Sequence, residues 1–261
     1  MKVLVGIVFI LFTTSSIAVT FDSKFIQGSF ILGKTNPGSK VFIDKKQVKV
    51  TSEGFFVFGL SRDRKNDVVI TINKKKIVKK VYTRKYNIQR IDGLEEKKVT
   101  PPEEVNERIK RENKWIGEAR AIDSNLTFFK NKFAIPVENA IITGVYGSQR
   151  ILNGKPKWPH YGLDFAAGEG AEIKAMLDGV VTLAEPDLFY TGGTLIFDHG
   201  HGISTLYMHM EKILVKKGQK IKQGDIIGTV GSTGRATGAH LDVRLNWFQT
   251  RLDPATVLDI K

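Results

Sequence analysis

The stretch His240-Leu241-Asp242-Val243-Arg244-Leu245-Asn246-Trp247 decides how the second half of this 261-residue chain folds. Polar and apolar residues alternate over all eight positions. On a strand, alternate side chains share a face, so His240, Asp242, Arg244 and Asn246 line one surface while Leu241, Val243, Leu245 and Trp247 enter a core. On a helix His240 and Asp242 would diverge; only the strand makes them a pair. The preceding run, Gly231-Ser232-Thr233-Gly234-Arg235-Ala236-Thr237-Gly238, reads as a loop able to bring backbone close to a ligand. It lacks the Gly-Lys-Thr/Ser ending of a phosphate loop, which argues against nucleotide binding.

Two further polar faces lie upstream. In Thr205-Leu206-Tyr207-Met208-His209, alternation groups Thr205, Tyr207 and His209 opposite Leu206 and Met208. In His160-Tyr161-Gly162-Leu163-Asp164, four residues separate a His from an Asp, which places them on one side of a helix or a strand. Pro159 and Gly162 favour a loop entering a strand. A lone His on a β face is more often a hydrogen-bonded structural residue than a ligand. His199 and His201, in Asp198-His199-Gly200-His201-Gly202, read as turn residues among glycines. A site is indicated by the conjunction of His160, Asp164, His209, His240 and Asp242.

The same half carries an internal echo. Gly170-Ala171-Glu172-Ile173-Lys174 resembles Gly218-Gln219-Lys220-Ile221-Lys222, and each precedes a glycine-led strand, Gly179-Val180-Val181 or Gly228-Thr229-Val230. Two copies of one hairpin-like unit predict a compact all-β domain with internal duplication, over residues 131–261. The repeat is too short for a solenoid.

Ahead of it, Phe30-Ile31-Leu32, Val41-Phe42-Ile43, Phe55-Phe56-Val57-Phe58 and Val68-Val69-Ile70-Thr71-Ile72 read as short strands separated by turn signals. They predict a small β-sandwich over residues 19–99. Lys74-Lys75-Lys76 and Lys79-Lys80 flank Ile77-Val78 as a solvated edge that resists strand addition. Thr100-Pro101-Pro102-Glu103 carries a capping residue, a proline at the first helical position and a glutamate three after the cap. A helix is therefore expected within the linker 100–130, ending near Ile122. Its narrow stripe of Val105, Ile109, Ile116 and Ala119 suits packing against one domain. The fold class is mostly β.

Charge is shared unevenly. Residues 19–99 hold 19 Lys/Arg against 8 Asp/Glu, whereas residues 100–261 hold 20 against 19. The basic first domain suits anionic envelope polymers, or is merely lysine-biased for solubility. Lys2, the apolar run Val3 to Phe12 and the small residues to Ala18 fit a cleavable secretory leader over residues 1–18. The run is shorter than the roughly 20 residues of a membrane span, so no stable span is expected after cleavage; an uncleaved anchor is the alternative. Export to the periplasm or cell envelope makes nucleic acid an unsuitable partner. The chain has no cysteine, hence no lipid-modified cysteine, disulfide or thiolate ligand.

Residues 140–255 resemble the lysostaphin/LytM-type zinc metallopeptidases, whose pattern is His-x-x-x-Asp, a His at the end of a later strand, then His-x-His. Here these read His160 to Asp164, His209, and His240-Leu241-Asp242. The resemblance implies a Zn2+ ion held by His160, Asp164 and Asp242, with His209 and His240 as the unliganded pair that handles protons and the oxyanion. It also implies an endopeptidase acting on peptidoglycan cross-links. Tyr207 is read as assisting His209. The departure is Asp242, which stands where the family has a histidine. Carboxylate is an accepted zinc ligand, but a second one neutralises the ion, leaves bound water less acidified and tolerates harder metals such as manganese. A lost site is the alternative, in a wall-binding protein that regulates other cell-wall hydrolases. A third reading is a basic structural protein that binds the envelope through residues 19–99.

Overall fold

The structure, a computed structural model, describes residues 18–260; the expected leader falls outside them save for its last position. Among the described residues, the strands β1 (Thr20–Phe21), β2 (Phe30–Lys34), β3 (Val41–Ile43), β4 (Lys46–Val48), β5 (Phe55–Gly59), β6 (Val68–Ile72), β7 (Lys75–Lys79) and β8 (Ile88–Ile91) come first. The first seven form two layers, β1-β2-β5 and β4-β3-β6-β7, as the alternating apolar runs predict. Ile31, Val41, Phe56, Phe58, Val68, Ile70 and Ile72 fill the space between them. The edge strand β7 is the lysine-flanked one. The turn residues Asp44 and Lys45, and Asn73 and Lys74, all have positive φ, the two-residue geometry whose twist suits antiparallel neighbours.

The first layer is covered on both faces. Phe30 and Val57, whose side chains alternate away from the sandwich, join the core of the C-terminal half. A Cβ on Gly59 would lie 2.5 Å from Leu252, so the glycine allows close docking there.

After a one-turn helix α1 (Glu96–Val99), the main helix α2 spans Asn106–Arg120 behind a tight turn at Glu103–Val105. Thr100 does not cap it: its N–H closes α1 onto Glu96 O at 2.7 Å, and its backbone is extended. The reason is the proline pair. A residue preceding proline is driven out of the helical region, so Pro101 cannot open a helix while Pro102 follows it, and Pro102 is itself extended. Of the expected stripe, Ile116 and Ala119 pack, together with Trp115, on Leu183, Leu188, Ile196, Leu206 and Met208, whereas Val105 and Ile109 lie outside this cluster.

The C-terminal half contributes β9 (Ile141–Gly144), β10 (Gln149–Leu152), β11 (Lys155–Pro156), β12 (Leu163–Ala166), β13 (Glu172–Lys174), β14 (Gly179–Leu188), β15 (Gly192–Gly200), β16 (Ile203–Ile213), β17 (Lys220–Ile221), β18 (Ile226–Val230), β19 (His240–Trp247) and β20 (Thr250–Leu252). Its main sheet runs β17-β14-β15-β16-β19-β12-β9. The duplicated units are not hairpins. β13 pairs with β18, and β17 with β14, so the first arm of each copy lies against the strand of the other. Ile173 and Ile221, equivalent in the echo, are both buried in the one core. β8 crosses from the first half to run parallel with β10, which ties the two halves together beside the polar face of β19.

Candidate metal centre

β12 and β19 are antiparallel neighbours with Asp164 directly opposite Asp242, so both carboxylates leave the same side of the sheet. His160 stands just before β12, fixed by its N–H to Ser148 O at 2.8 Å and by the Gly147 N–H to its carbonyl at 2.7 Å. One ligand atom from each of His160, Asp164 and Asp242 lies within 4.8 Å of the others, and all three residues are buried. His160 Nε2 is 3.0 Å from Asp164 Oδ1 and 3.3 Å from Asp242 Oδ2. Its Nδ1 faces Val145 O at 3.3 Å. A proton held on Nδ1 by that carbonyl turns the Nε2 lone pair toward the two carboxylates, the arrangement of a metal-binding imidazole.

Two observations show that this donor set fits a cation. Asp164 and Asp242 are both buried and converge on the one imidazole of His160, and two carboxylates brought together out of water are costly unless something positive lies between them. Glycines also flank both carboxylates: a Cβ on Gly144 would lie 2.1 Å from Asp164 Oδ2, and one on Gly162 would lie 2.0 Å from Asp242 Oδ1. Without a metal, the imidazole fills the role. Burial works against its charge, but Asp242 and Asp164 raise its pKa above the usual value.

Two arginines support the carboxylates. Arg150 Nη2 is 3.1 Å from Asp164 Oδ2. Arg244 grips Asp242 with Nη2 at 2.9 Å from Oδ2 and Nε at 3.3 Å from Oδ1. Burial would raise the Asp242 carboxyl, yet Arg244 and His160 hold it well below the carboxylate range. Arg244 belongs to the polar face expected of β19. Arg150 carried no sequence signal, because only the pairing of β8 with β10 brings it here.

His209 and His240 stand beside the carboxylates with ring centroids 4.8 Å apart. His209 Nδ1 meets Thr233 O and His240 Nδ1 meets Gly238 O, each at 2.8 Å. Both carbonyls belong to the glycine-rich loop. Each holds a proton on Nδ1, which leaves Nε2 as the acceptor. Burial pushes His209 down to about 4, against the attraction of Asp242.

Simple alternation fails on β16. Tyr207 is opposite Val243 and Met208 opposite Asp242, so Leu206 and Met208 share the site's face while Thr205 and Tyr207 enter the core. Tyr207 is fully buried, accepts the Met176 N–H at 3.0 Å and is pushed up to about 12 by burial. It does not assist His209. His209 reaches the site because its own φ is +64° and the strand bulges around it against β15. His199 lies inside β15 rather than in a turn, buried between Asp178 O at 2.7 Å and Thr205 Oγ1 at 2.8 Å. His201 does occupy the turn, with φ +51° and its ring against Phe129. Neither joins the cluster.

The fold agrees with a comparison to a known structure. Residues 158–254 match the model of Peptidase family M23. A crystal structure from Pseudomonas aeruginosa assigned to the M23 peptidases superposes with a TM-score of 0.68 at 25% identity, covering 90% of this chain and 95% of that one. The peptidoglycan DD-endopeptidase ShyA of Vibrio cholerae is 45% identical over 87 residues, 33% of this chain and 20% of the relative. The DD-carboxypeptidase/endopeptidase Mpg of Neisseria meningitidis is 39% identical over 89 residues, again 33% and 20%. The chain thus spans about a fifth of the length of these curated relatives. No helix among the described residues is long and apolar enough to cross a membrane.

Proposed function

We propose that this chain is an exported metallopeptidase that hydrolyses peptide cross-links of peptidoglycan in the periplasm or cell envelope. His160, Asp164 and Asp242 are its metal ligands, and His209 and His240 its catalytic pair. The observation that carries this is the convergence of three buried donors beside two histidines whose Nδ1 atoms are each held by a loop carbonyl. The names of ShyA and Mpg support the substrate class. A bound Zn2+ would supply Lewis-acid polarisation of the scissile carbonyl and acidify water.

The chain's own residues do the rest. His240, two residues from Asp242 on one strand face, accepts the proton of the attacking water through Nε2. His209 is neutral near pH 7 because of its depressed pKa, so it enters as an acceptor and can donate to the leaving amine only after gaining a proton. The basic first domain would hold anionic wall polymers near the site.

A second reading has an observation in its favour. Arg150 and Arg244 already neutralise the two carboxylates, as a wall-binding regulator that has dispensed with metal would require. Purified sacculi separate the two. Soluble peptide fragments released by the native protein, and lost on chelation or in His240→Ala, support the peptidase. A folded protein that binds sacculi and releases nothing with zinc supplied supports the regulator.

A further inference from the structure

The metal group lies between two openings. A cavity of about 440 Å³ is lined by Asp164 and His240, and a larger one of about 710 Å³ by Asp242, Arg244 and Arg251; His209 and Arg150 border both. The larger cavity is unbalanced in charge. Arg150, Lys157, Arg235, Arg244 and Arg251 line it against the single carboxylate of Asp242. Arg244 is matched by Asp242 and Arg150 by Asp164.

Arg251 has no carboxylate in contact among the described residues, and only the more distant Asp242 and the Tyr161 phenol oppose the charges around it. Its guanidinium makes one hydrogen bond, from Nη1 to the neutral Asn246 Oδ1 at 3.0 Å, and no ion pair among the described residues. Behind it stands Arg120, 4% exposed, whose Nε has no partner. Burial and the charges of Arg120 and Arg244 hold Arg251 well below the usual arginine range. The backbone explains the arrangement. Asp242, Arg244 and Asn246 follow one another on one face of β19, and Arg251 of β20 is opposite Asn246. Successive positions on a face are about 7 Å apart, so the guanidiniums form a row leading away from the metal group. Crowding like charges in a partly buried wall is costly without a counter-ion, and a planar guanidinium fork suits a carboxylate.

We propose that Arg251, with Arg244, forms a subsite for a peptide carboxylate, so that the chain selects peptide bonds lying one or two residues from a free carboxylate. This rests on the peptidase reading and deepens it. The substrate would then be bound by the charge that the empty cavity leaves uncompensated.

The test uses the full chain treated with chelator, so that no metal can bind the probe. N-acetyl-alanyl-alanine and its C-terminal amide are titrated by NMR into the native protein, Arg251→Gln and Arg251→Lys, with inorganic phosphate as a competitor. The free acid is expected to bind at least about tenfold more tightly than the amide. Arg251→Gln should abolish that preference and Arg251→Lys retain part of it. Because the substitution removes a repelled charge, the melting temperature of Arg251→Gln should equal or exceed the native value. Equal binding of acid and amide, binding of neither, or a preference that survives Arg251→Gln overturns the subsite. Phosphate binding as tight as the acid, equally lost in Arg251→Gln, marks a general anion site and overturns the peptide assignment. Release of fragments from sacculi is scored separately. A carboxylate preference without turnover would sink the peptidase reading alone, and turnover without the preference sinks the subsite alone.

Discussion

Replacing Asp242 by alanine should do more damage than its size suggests, because of what it leaves behind. The Asp242 side chain is 1% exposed and the Arg244 side chain 21%. Breaking a buried ion pair from one side typically costs about 3–5 kcal/mol, since the surviving charge is stranded. Arg244 borders a cavity and can draw in water, which puts Asp242→Ala at the lower end, about 3 kcal/mol. His160 adds little, because an imidazole that loses its carboxylate can give up its proton. With a urea slope of about 2–3 kcal/mol/M, the unfolding midpoint of metal-free protein should fall by about 1 M. The double variant Asp242→Ala/Arg244→Met removes the stranded charge and should recover about 2 kcal/mol. Urea titrations of the native, single and double variants, followed by circular dichroism in chelator, measure each term. A midpoint for Asp242→Ala within about 0.2 M of native, or a double variant no better than the single, would refute the claim that this pair holds the site together.

Two other outcomes follow from the geometry. Gly162→Ala places a Cβ 2.0 Å from Asp242 Oδ1 and 2.7 Å from Val243 O, an overpacking that should cost about 1–3 kcal/mol and weaken metal binding; Gly168→Ala, which meets nothing within 4 Å, should stay within about 0.5 kcal/mol of native. Equal melting temperatures for the two variants would contradict this. Buried His199 has its pKa lowered from 6.5 to about 4, so above pH 6.5 both folded and unfolded forms are neutral. Between 6.5 and about 4 the unfolded chain takes up the proton first, and stability should fall with pH by about 3 kcal/mol from this group. Urea midpoints at pH 7, 5.5 and 4 should therefore decline less steeply in His199→Asn than in native protein; parallel curves would contradict the assignment.

What could be read in the sequence was whatever local pattern controls. The alternation from His240 to Trp247 survives intact, with Leu241, Val243 and Leu245 in the core and Asp242 beside His160. The His160 to Asp164 spacing works because a short loop feeds a strand that pairs with β19. What failed depends on long-range or single-residue geometry. One left-handed residue at His209 reverses the side on which it projects, and no composition signal marks it. The echo was visible, but its interlocked pairing was not, because either partner satisfies the same residues until the whole sheet closes. The Pro101-Pro102 pair carried its own warning, since the second proline forbids the helix that the first would begin. Arg150 reaches the centre, and Arg251 the cavity beside it, only through the pairings of β10 and β20.

The central claim is that His160, Asp164 and Asp242 form one metal centre despite the carboxylate at the last position. Calorimetric titration of Zn2+ into chelator-stripped, dialysed protein tests it most directly, with His160→Ala and Asp242→Ala alongside. The account predicts one ion per native chain and loss of that binding in both variants, each checked as folded by circular dichroism. Native protein that takes up no ion, or folded variants that bind as the native protein does, would contradict it.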